Sequence, residues 1–411
     1  MTRPDVAAPR AFSSLVAEMG CMRQPAARPA RLRNVTFWAG AGFSKAWEAA
    51  SPTGVELFTL ELSALEDIVT PLALRRLFGV DPAGSLTPAA LRQIVYFLDM
   101  NEKYPEVSGR YYDRDSIRRL RAALRAVVQR NFEARCTVNF LEDGAPRFPA
   151  GPLRPEQEVI VTFFARLERQ VDACAGLASG LRTHFLTTNY DFVVETILDR
   201  VADDGGAVFD TLYRGFTPKR VVGQAETKPV TEHWLARNFL KLNGGFEIVP
   251  SGDGYELDYH RRSTRALVAA PPVIMLPSRE QDYSDPYFRS VFPKAVRLMR
   301  ESDILVLVGY SLSEDDALIR FILRQFAEDG EDAVGKHVFY VDINGREHQR
   351  RLLCELFPYA ADYGVPAFHL FSGGFAEFAA ACLPLIGPES DRPRHTVTGT
   401  SATPSVPNTS R

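Results

Sequence analysis

The stretch that most constrains the fold is Val35-Thr36-Phe37-Trp38-Ala39-Gly40-Ala41-Gly42-Phe43-Ser44. It is an apolar segment that runs into two closely spaced glycines and then into a helical pattern. Gly40 and Gly42 allow a ligand to approach the backbone, and the N–H groups that begin the helix, with the Ser44 hydroxyl, can donate to pyrophosphate oxygens. The third glycine of G-x-G-x-x-G is missing, so an ordinary glycine turn explains this stretch equally well when it is taken alone.

Further apolar runs predict strands that are buried on both faces of a sheet. With the first, these runs are Val35–Ala39, His184–Thr188, Phe239–Leu242, Val273–Leu276, Ile304–Val308 and His337–Ile343. Helical patterns separate them, and Pro286–Arg300 carries its apolar residues at spacings of three and four. This alternation predicts an α/β fold, a Rossmann-like doubly wound parallel sheet covered by helices.

The organisation of the chain follows from changes in pattern. Residues 1–30 are rich in Ala, Pro and Arg, and residues 387–411 in Pro, Ser, Thr and Arg, so both are expected to be flexible tails. Residues 31–386 form the predicted α/β domain. Within it, residues 55–180 show long helical patterns, Asp115–Arg130 and Glu156–Leu177, without a convincing strand. We therefore expect a helical insertion there.

Composition narrows the class of protein. The chain has 411 residues, 45% of them hydrophobic and 24% charged, with a formal charge of −3, which is typical of a globular protein. Its arginines form no continuous basic stripe, so a nucleic-acid partner is not favoured. No apolar run approaches the ~20 residues of a membrane span, and the first residues lack a secretory signal, so a cytoplasmic location is expected.

The five cysteines are odd in number and never spaced as C-x-x-C. A zinc ribbon needs two such pairs, so no zinc and no other metal site is expected.

Three strand ends bring polar side chains to the carboxyl edge of the predicted sheet, where ligands bind in this class of fold. They are Thr187-Thr188-Asn189-Tyr190-Asp191, Gly309-Tyr310-Ser311-Leu312 and Val341-Asp342-Ile343-Asn344. Each has a plainer explanation as well. Asn189 and Asp191 suit a helix N-cap, Ser313 to Asp315 suit a capping loop, and Asn344 suits an ordinary strand-to-helix turn.

In this order, the segments resemble the sirtuin-like family (silent information regulator two-like proteins), and in particular its bacterial branch found in antiphage systems. The resemblance covers about residues 34–375. It implies NAD as the ligand, and it distributes the cofactor-binding roles over four segments. Those residues are Gly40, Ala41, Gly42, Phe43 and Ser44 for the phosphates, Asn189 and Asp191 for the nicotinamide ribose, Gly309 and Ser311 for ribose and phosphate, and Asn344 for the adenosine side.

The chain departs from the family pattern in two ways. The four-cysteine zinc module of protein-deacetylating sirtuins is absent, which favours the NAD-consuming branch over a histone-type deacylase. The second departure is Leu240-Lys241-Leu242-Asn243-Gly244-Gly245, where the family typically has K-L-H-G-S with a catalytic histidine. Asparagine can form a hydrogen bond with a ribose hydroxyl but cannot take its proton near neutral pH. His184 is expected to be a sheet residue instead, and His233 and His260 are expected to have solvent-exposed structural roles.

The resemblance implies two functions of different classes. The first is an NAD glycohydrolase in which Asn189, Asp191 and Asn243 are the catalytic residues, with Asp191 holding the carboxamide and Asn189 orienting water or ribose. The second is a catalytically weak module that binds NAD or ADP-ribose as a sensor or scaffold, which Asn243 motivates. Another nucleotide as ligand also stays open. Family members often form larger complexes, so homo-oligomerisation and a defence-system partner protein stay open as well.

Overall fold

The computed structural model describes residues 6–21, 33–61, 84–104, 106, 113–136, 139–141, 147–149, 151–173, 181–202, 212–224, 237–281, 283–312 and 316–386. The predicted tail at 387–411 and His233 lie outside these ranges. Among the described residues, no helix is both long enough and apolar enough to cross a membrane.

The strands in these ranges are β1 (Arg33–Ala39), β2 (Leu60–Glu61), β3 (Ser85–Leu86), β4 (Leu181–Thr187), β5 (Leu212–Tyr213), β6 (Arg237–Lys241), β7 (Ile248–Ser251), β8 (Gly254–Leu257), β9 (Ser302–Val308), β10 (His337–Asp342) and β11 (Ala367–Ser372). The helices are α1 (Ala7–Cys21), α2 (Ala41–Trp47), α3 (Gly54–Leu57), α4 (Pro88–Lys103), α5 (Arg114–Arg135), α6 (Pro155–Ala173), α7 (Val193–Ala202), α8 (Thr264–Ala269), α9 (Pro286–Glu301), α10 (Ala317–Arg324), α11 (Arg346–Leu356), α12 (Ala360–Tyr363) and α13 (Phe375–Cys382).

A parallel sheet of seven strands forms the centre of the molecule, in the order β11-β10-β9-β1-β4-β6-β5. Strand β9 is buried at every position and β1 at its last five, because helices cover both faces of a parallel sheet. The predicted Rossmann-like α/β fold is therefore confirmed. After β1, the chain builds β4, β6 and β5 on one side, and then returns to build β9, β10 and β11 on the other.

The strand order changes direction at β1, and this change determines where a ligand site can form. The carboxyl ends of β1, β4 and β9 meet at one edge of the sheet, since neighbouring strands run parallel. Ala39 pairs with Thr187 of β4 and with Val308 of β9, so the loops that follow these strands start side by side. Open parallel sheets bind ligands at such a switch point.

Helix α1 corrects the prediction of a flexible tail over residues 1–30. Phe12 and Val16 are fully buried, and Ala8 and Met19 are buried beside them. These residues recur at spacings of three and four, so they form one apolar face of the helix. Phe12 packs against aromatic rings from four other parts of the chain: Phe37, Phe163, Phe339 and Phe378. The prediction of a flexible tail relied on the Ala, Pro and Arg content and overlooked this apolar face.

Two further expectations need adjustment. The segment Val273–Leu276 was predicted to be a strand, but it makes only an isolated bridge, between Ile274 and Gly244. It is buried because it lines the interior beside the β6 turn, with Met275 N–H bonded to the Asn243 carbonyl at 2.8 Å. In the predicted helical insertion, α4, α5 and α6 are helical as expected, and the two-residue strands β2 and β3 pair antiparallel.

Candidate functional site

A cavity of about 610 Å³ lies at the carboxyl edge of the sheet, above β1, β4, β9 and β10. Nine residues that were predicted to bind or act on a ligand line this one space: Ala41, Gly42, Ser44, Asn189, Asp191, Asn243, Gly309, Ser311 and Asn344. They come from segments up to about three hundred residues apart in the sequence. The fold thus brings together nine of the eleven predicted site residues, and the other two, Gly40 and Phe43, are not part of the lining.

The glycine turn after β1 packs directly against the end of β9. The Gly40 amide donates to the Val308 carbonyl and the Gly42 amide to the Gly309 carbonyl, both at 2.9 Å. A Cβ atom on Gly40 would lie 2.4 Å from the Gly309 oxygen and 2.6 Å from the Tyr310 Cα. Gly309 itself has φ of +55°. Glycine is therefore required on both sides of this contact.

This geometry limits the phosphate-binding role that was predicted for the glycine turn. The Gly42 amide is bonded to Gly309, and the Phe43 amide is bonded to the Gly40 carbonyl at 3.0 Å. Neither amide points at the cavity as a ligand donor. The Phe43 side chain is buried against Phe164 and Phe375, so the structure does not place it in the cavity. The cation that lines this wall is Lys45, and its Nζ lies 3.4 Å from a Glu56 carboxylate oxygen.

Asn189, Ser44 and Asp191 form one hydrogen-bonded network on the floor of the cavity. The Asn189 side-chain amide donates to the Gly40 carbonyl and to Ser44 Oγ, each at 2.8 Å. The Ser44 hydroxyl donates to Asp191 Oδ2 at 2.6 Å, and the Val193 amide donates to Asp191 Oδ1 at 3.0 Å. The cap that was predicted for the following helix, α7, is therefore present. Asp191 forms it and also lines the cavity.

Burial controls the ionisation of Asp191. Desolvation raises its pKa, and the hydrogen bonds from Ser44 and Val193 oppose that effect. The Asp191 side chain is held from two sides, so its position in the cavity is fixed by the fold.

A buried charge cluster lies beneath this floor. Lys241 Nζ contacts Glu195 at 2.8 Å and Glu247 at 2.9 Å, and it donates to the Asp191 carbonyl at 2.6 Å. Burial raises the pKa of Glu195 to about 7, with Lys241 opposing and Glu247 reinforcing the shift. Burial would lower the pKa of Lys241, but the two carboxylates outweigh it and the pKa is raised. The cluster therefore ties α7, β6 and the Asp191 backbone into one rigid support.

Asn243 occupies the position at which the family pattern has histidine, and it lines the cavity. Its side-chain nitrogen donates to the Thr188 carbonyl at 3.3 Å, while its Oδ1 is buried with no hydrogen-bond partner. Buried polar atoms are normally satisfied, so this unpartnered Oδ1 is an exception beside the cavity wall. Gly244, with φ of +81°, lets the loop pass close to the Val273 carbonyl.

The opposite wall is built at the end of β10. Asp342 Oδ1 accepts hydrogen bonds from the Asn344 amide at 2.9 Å and from its side-chain nitrogen at 2.6 Å. Gln349 donates to the carbonyls of Asp342 and Asn344 at 3.0 and 2.9 Å, and so fixes this loop to α11. A carboxylate and an amide at such a strand end suit the hydroxyl groups of a ribose.

Sequence patterns alone left several cavity-lining residues without a role: Lys45, Thr53, Tyr190, Tyr310, Asp316, Asp342, Gly373 and Gly374. Gly373 and Gly374 follow the edge strand β11, whose residues are mostly half-buried and therefore form no continuous apolar run. A glycine pair after residues 367–372 was the available signal. Asp316 follows a glycine-containing strand end, where its acidic neighbours suggested only a helix cap.

None of the histidines lies among the described residues that line the cavity. His184 is a buried sheet residue, as expected, with Nε2 3.1 Å from Asn34 Oδ1 and Nδ1 accepting from the Asn238 amide at 3.0 Å. His260 is half-buried and bonds Asp258 at 3.2 Å. In the described part of the chain, no group of three or more His, Cys, Asp or Glu side chains is arranged to hold a metal ion.

Comparison with solved structures finds sirtuins. A Sir2 in complex with the inhibitor EX-527, 2'-O-acetyl-ADP-ribose and a deacetylated p53 peptide is 10% identical, with 86% of this chain and 93% of that chain covered and a TM-score of 0.36. A complex of Sir2 with a p53 peptide and NAD+ is 11% identical, with 91% and 97% covered and a TM-score of 0.37. No curated protein matches this chain significantly.

Comparison with protein families finds one match, to the model described as the SIR2-like domain, over residues 183–365. The matched segment contains six of the predicted site residues: Asn189, Asp191, Asn243, Gly309, Ser311 and Asn344. The resemblance that the motifs indicated is thus supported over residues 183–365, where this chain matches the SIR2-like domain.

Proposed function

We propose that this chain binds NAD in the cavity and hydrolyses its N-glycosidic bond, which releases nicotinamide and ADP-ribose. The observation that carries the proposal is the convergence of Ser44, Asn189, Asp191 and Asn243 on one end of the cavity, with Asn344 and Asp342 at the other. The match to the SIR2-like domain supports the same ligand.

The ligand would span the switch point of the sheet. Its pyrophosphate would lie near the turn after β1, where Lys45 would exchange its contact with Glu56 for the phosphates. Asp342 and Asn344 would meet the adenosine ribose. Asn189 would orient water or the nicotinamide ribose, Asp191 would hold the carboxamide, and Asn243 would form a hydrogen bond with a ribose hydroxyl.

A second function is a module that binds NAD or ADP-ribose without efficient turnover. Asn243 favours it, because the missing general base typically costs ~10² to 10⁴ in rate. Binding and turnover measured on the same preparation separate the two functions. Nicotinamide release above the blank supports the hydrolase, whereas tight NAD binding without release supports the module. Competition by ATP or NADP would reveal a different preferred nucleotide.

The variant Asn243→His tests the geometry assigned to this end of the cavity. An imidazole accepts a proton near neutral pH, so we expect turnover to rise by about tenfold or more. The measurement is the rate of nicotinamide release at saturating NAD, with ADP-ribose affinity as the check that the cavity is intact. An unchanged rate in a variant that still binds ADP-ribose would contradict the placement of residue 243 beside the ribose.

We also propose that the reaction serves bacterial antiphage defence, with support from the likeness of the four motifs to that branch of the family. The test is the intracellular NAD concentration in a bacterial host that expresses the chain and is infected with phage. NAD should fall after infection with the wild-type chain and stay constant with Asn189→Ala. Equal NAD concentrations in both cultures, across a phage panel, would contradict this role.

A further inference from the structure

Hydrolysis of an N-glycosidic bond requires a group that accepts the proton of the attacking water. Asn243 has no titratable proton near neutral pH and cannot perform that step. Among the described residues that line the cavity, the carboxylates are Asp191, Asp316 and Asp342, and no glutamate or histidine is present. Within this described lining, the three aspartates are the candidates for the proton acceptor.

Two of the three aspartates are poorly placed for the task. Asp191 receives a hydrogen bond on each oxygen, from Ser44 at 2.6 Å and Val193 at 3.0 Å, so both oxygens are already engaged. Asp342 ends β10, which is separated from β4 by β9 and β1. Three strand spacings correspond to about 14 Å, so Asp342 belongs to the end of the cavity away from Asn189.

Asp316 stands closer to the reacting end. It follows β9, which is the immediate neighbour of β1. Tyr310 donates its hydroxyl to Asp316 Oδ2 at 2.7 Å. The Tyr310 backbone packs so tightly on the glycine turn that a Cβ on Gly40 would lie 2.6 Å from the Tyr310 Cα. On the other side of Gly40, its carbonyl accepts from Asn189 at 2.8 Å. Gly40 therefore contacts both Asn189 and the Tyr310 backbone, and the Tyr310 side chain extends from that contact to Asp316.

Tyr310 has the properties of a residue that orients a base. The Tyr340 hydroxyl donates to its carbonyl at 2.7 Å, and its ring lies against Trp38 with centroids 6.0 Å apart. Burial, and then the charge of Asp316, raise the pKa of Tyr310 well above its ordinary value, so the hydroxyl remains a donor. A base held by a fixed donor is the usual arrangement in nucleophile activation.

We propose that Asp316 is the general base of this site and that Tyr310 is its positioning residue, an inference that rests on the proposed NAD hydrolase function. A water oxygen forms a bond to C1′ of the nicotinamide ribose while the C1′–N bond breaks. The electron pair of that bond stays with nicotinamide, which leaves as a neutral pyridine. Asp316 takes the proton from the water and later releases it to solvent, so the products are nicotinamide, ADP-ribose and one proton.

The groups that face Asp316 come from several elements. Its negative charge contributes, after burial, to the raised pKa of Tyr190 and of Tyr283, and Arg320 lies near the Tyr310 hydroxyl. The tyrosines stay protonated in the working range, so they do not contribute to the acid limb of the pH–rate profile. Removal of the Tyr310 donor should raise the pKa of Asp316, because that hydrogen bond favours its charged form.

The test compares Asp316→Asn, Tyr310→Phe and the control Asp362→Asn, which removes an exposed carboxylate outside the cavity. For Asp316→Asn, kcat for nicotinamide release should fall by about 10²- to 10⁴-fold. Its Kd for ADP-ribose should stay within about threefold of wild type. For Tyr310→Phe, the acid limb of kcat/KM should move to higher pH. The control should match wild type in both respects.

The outcomes separate this inference from the proposed function. If the wild-type chain releases nicotinamide and Asp316→Asn keeps its kcat, the base is another group and only this inference is overturned. It is also overturned if Asp316→Asn raises the Kd for ADP-ribose as much as it lowers kcat/KM, since that describes a binding residue. If the wild-type chain binds NAD and releases no nicotinamide, the hydrolase function itself fails, and this inference fails with it.

Discussion

At the scale of single residues, the site depends on polar side chains that serve the fold and face the cavity together. Ser44 accepts from Asn189 and donates to Asp191, so one hydroxyl connects the loop after β1 to the loop after β4. The same side chains explain why a helix-cap interpretation and a ligand interpretation were both reasonable from sequence. The structure shows that Asp191 caps its helix and also lines the cavity.

The substitution Ser44→Ala should destabilise the fold by about 1 to 3 kcal/mol, because it leaves a buried carboxylate without one of its donors. It should also raise the pKa of Asp191 further, since the lost hydrogen bond opposed the effect of burial. Urea unfolding measures the free energy. Thr217→Ala, at an exposed position, is the matched control and should stay within about 0.5 kcal/mol of wild type. Equal midpoints for the two variants would show that this network adds no stability.

Gly40→Ala should strongly destabilise the fold, because the added Cβ would lie 2.4 Å from the Gly309 oxygen and 2.6 Å from the Tyr310 Cα. Both are backbone atoms. The backbone must shift, at a cost of about 1 to 3 kcal/mol or more. Gly54→Ala is the control, since no atom lies within 4 Å of its added Cβ. Differential scanning calorimetry should show a clear loss of Tm for Gly40→Ala alone. Similar Tm values would refute the close contact between this turn and β9.

At the scale of elements, the sequence was most informative where burial is complete. Strands β1, β4, β9 and β10 were predictable because strands covered on both faces read as continuous apolar runs. Strand β11 was not, since its positions are mostly half-buried at the sheet edge. Val273–Leu276 was misleading for the opposite reason, because it is buried but pairs through only one bridge. Apolar content reports burial, and it does not report whether a ladder forms.

The residues of the candidate site also divide into those that the sequence indicated and those that it did not. Glycines and asparagines at strand ends were visible because backbone approach and capping restrict the residue type. The Tyr310–Asp316 pair and the Lys241 cluster were not visible, because each joins side chains whose proximity depends on tertiary packing. Asp316 lies six positions after Tyr310 in the sequence. The acidic residues directly before Asp316 favoured a helix cap as the explanation of this segment.

Helix α1 provides a test at this scale. Phe12 is fully buried against four aromatic rings, so Phe12→Ala should cost about 3 to 5 kcal/mol in the free energy of unfolding. Val6→Ala removes an exposed side chain just before the same helix and should cost little. Chemical denaturation of both variants makes the comparison. Equal stability of the two would mean that residues 7–21 do not dock on the sheet in solution.

At the scale of the whole molecule, stability should depend on pH through His184. Burial, and then the charges of Arg237 and Arg182, lower its pKa to about 3 from an ordinary value of 6.5. Between these two values the unfolded chain binds a proton that the folded chain does not, so stability falls as pH falls from about 6.5 toward 3. The slope contributed by this group approaches about 1.4 kcal/mol per pH unit.

The check is the free energy of unfolding measured by urea titration between pH 7 and pH 4. In His184→Gln, the free energy of unfolding should fall less steeply with decreasing pH, by up to about 1.4 kcal/mol per pH unit. This holds even if the variant is less stable overall. The exposed His348→Gln serves as the matched control. If wild type and His184→Gln show the same slope, His184 is not buried in its neutral form.

The most direct test of the account is the release of nicotinamide from NAD by the purified chain, measured beside Asn189→Ala. Asn189 holds the glycine turn and Ser44 through two hydrogen bonds of 2.8 Å and lines the cavity, so its removal should disorder the reacting end. We expect release by the wild-type chain and a loss of at least about 10²-fold in a variant that melts as a folded protein. Release that survives in Asn189→Ala would place the chemistry elsewhere, and its absence from both proteins would contradict the proposed hydrolase.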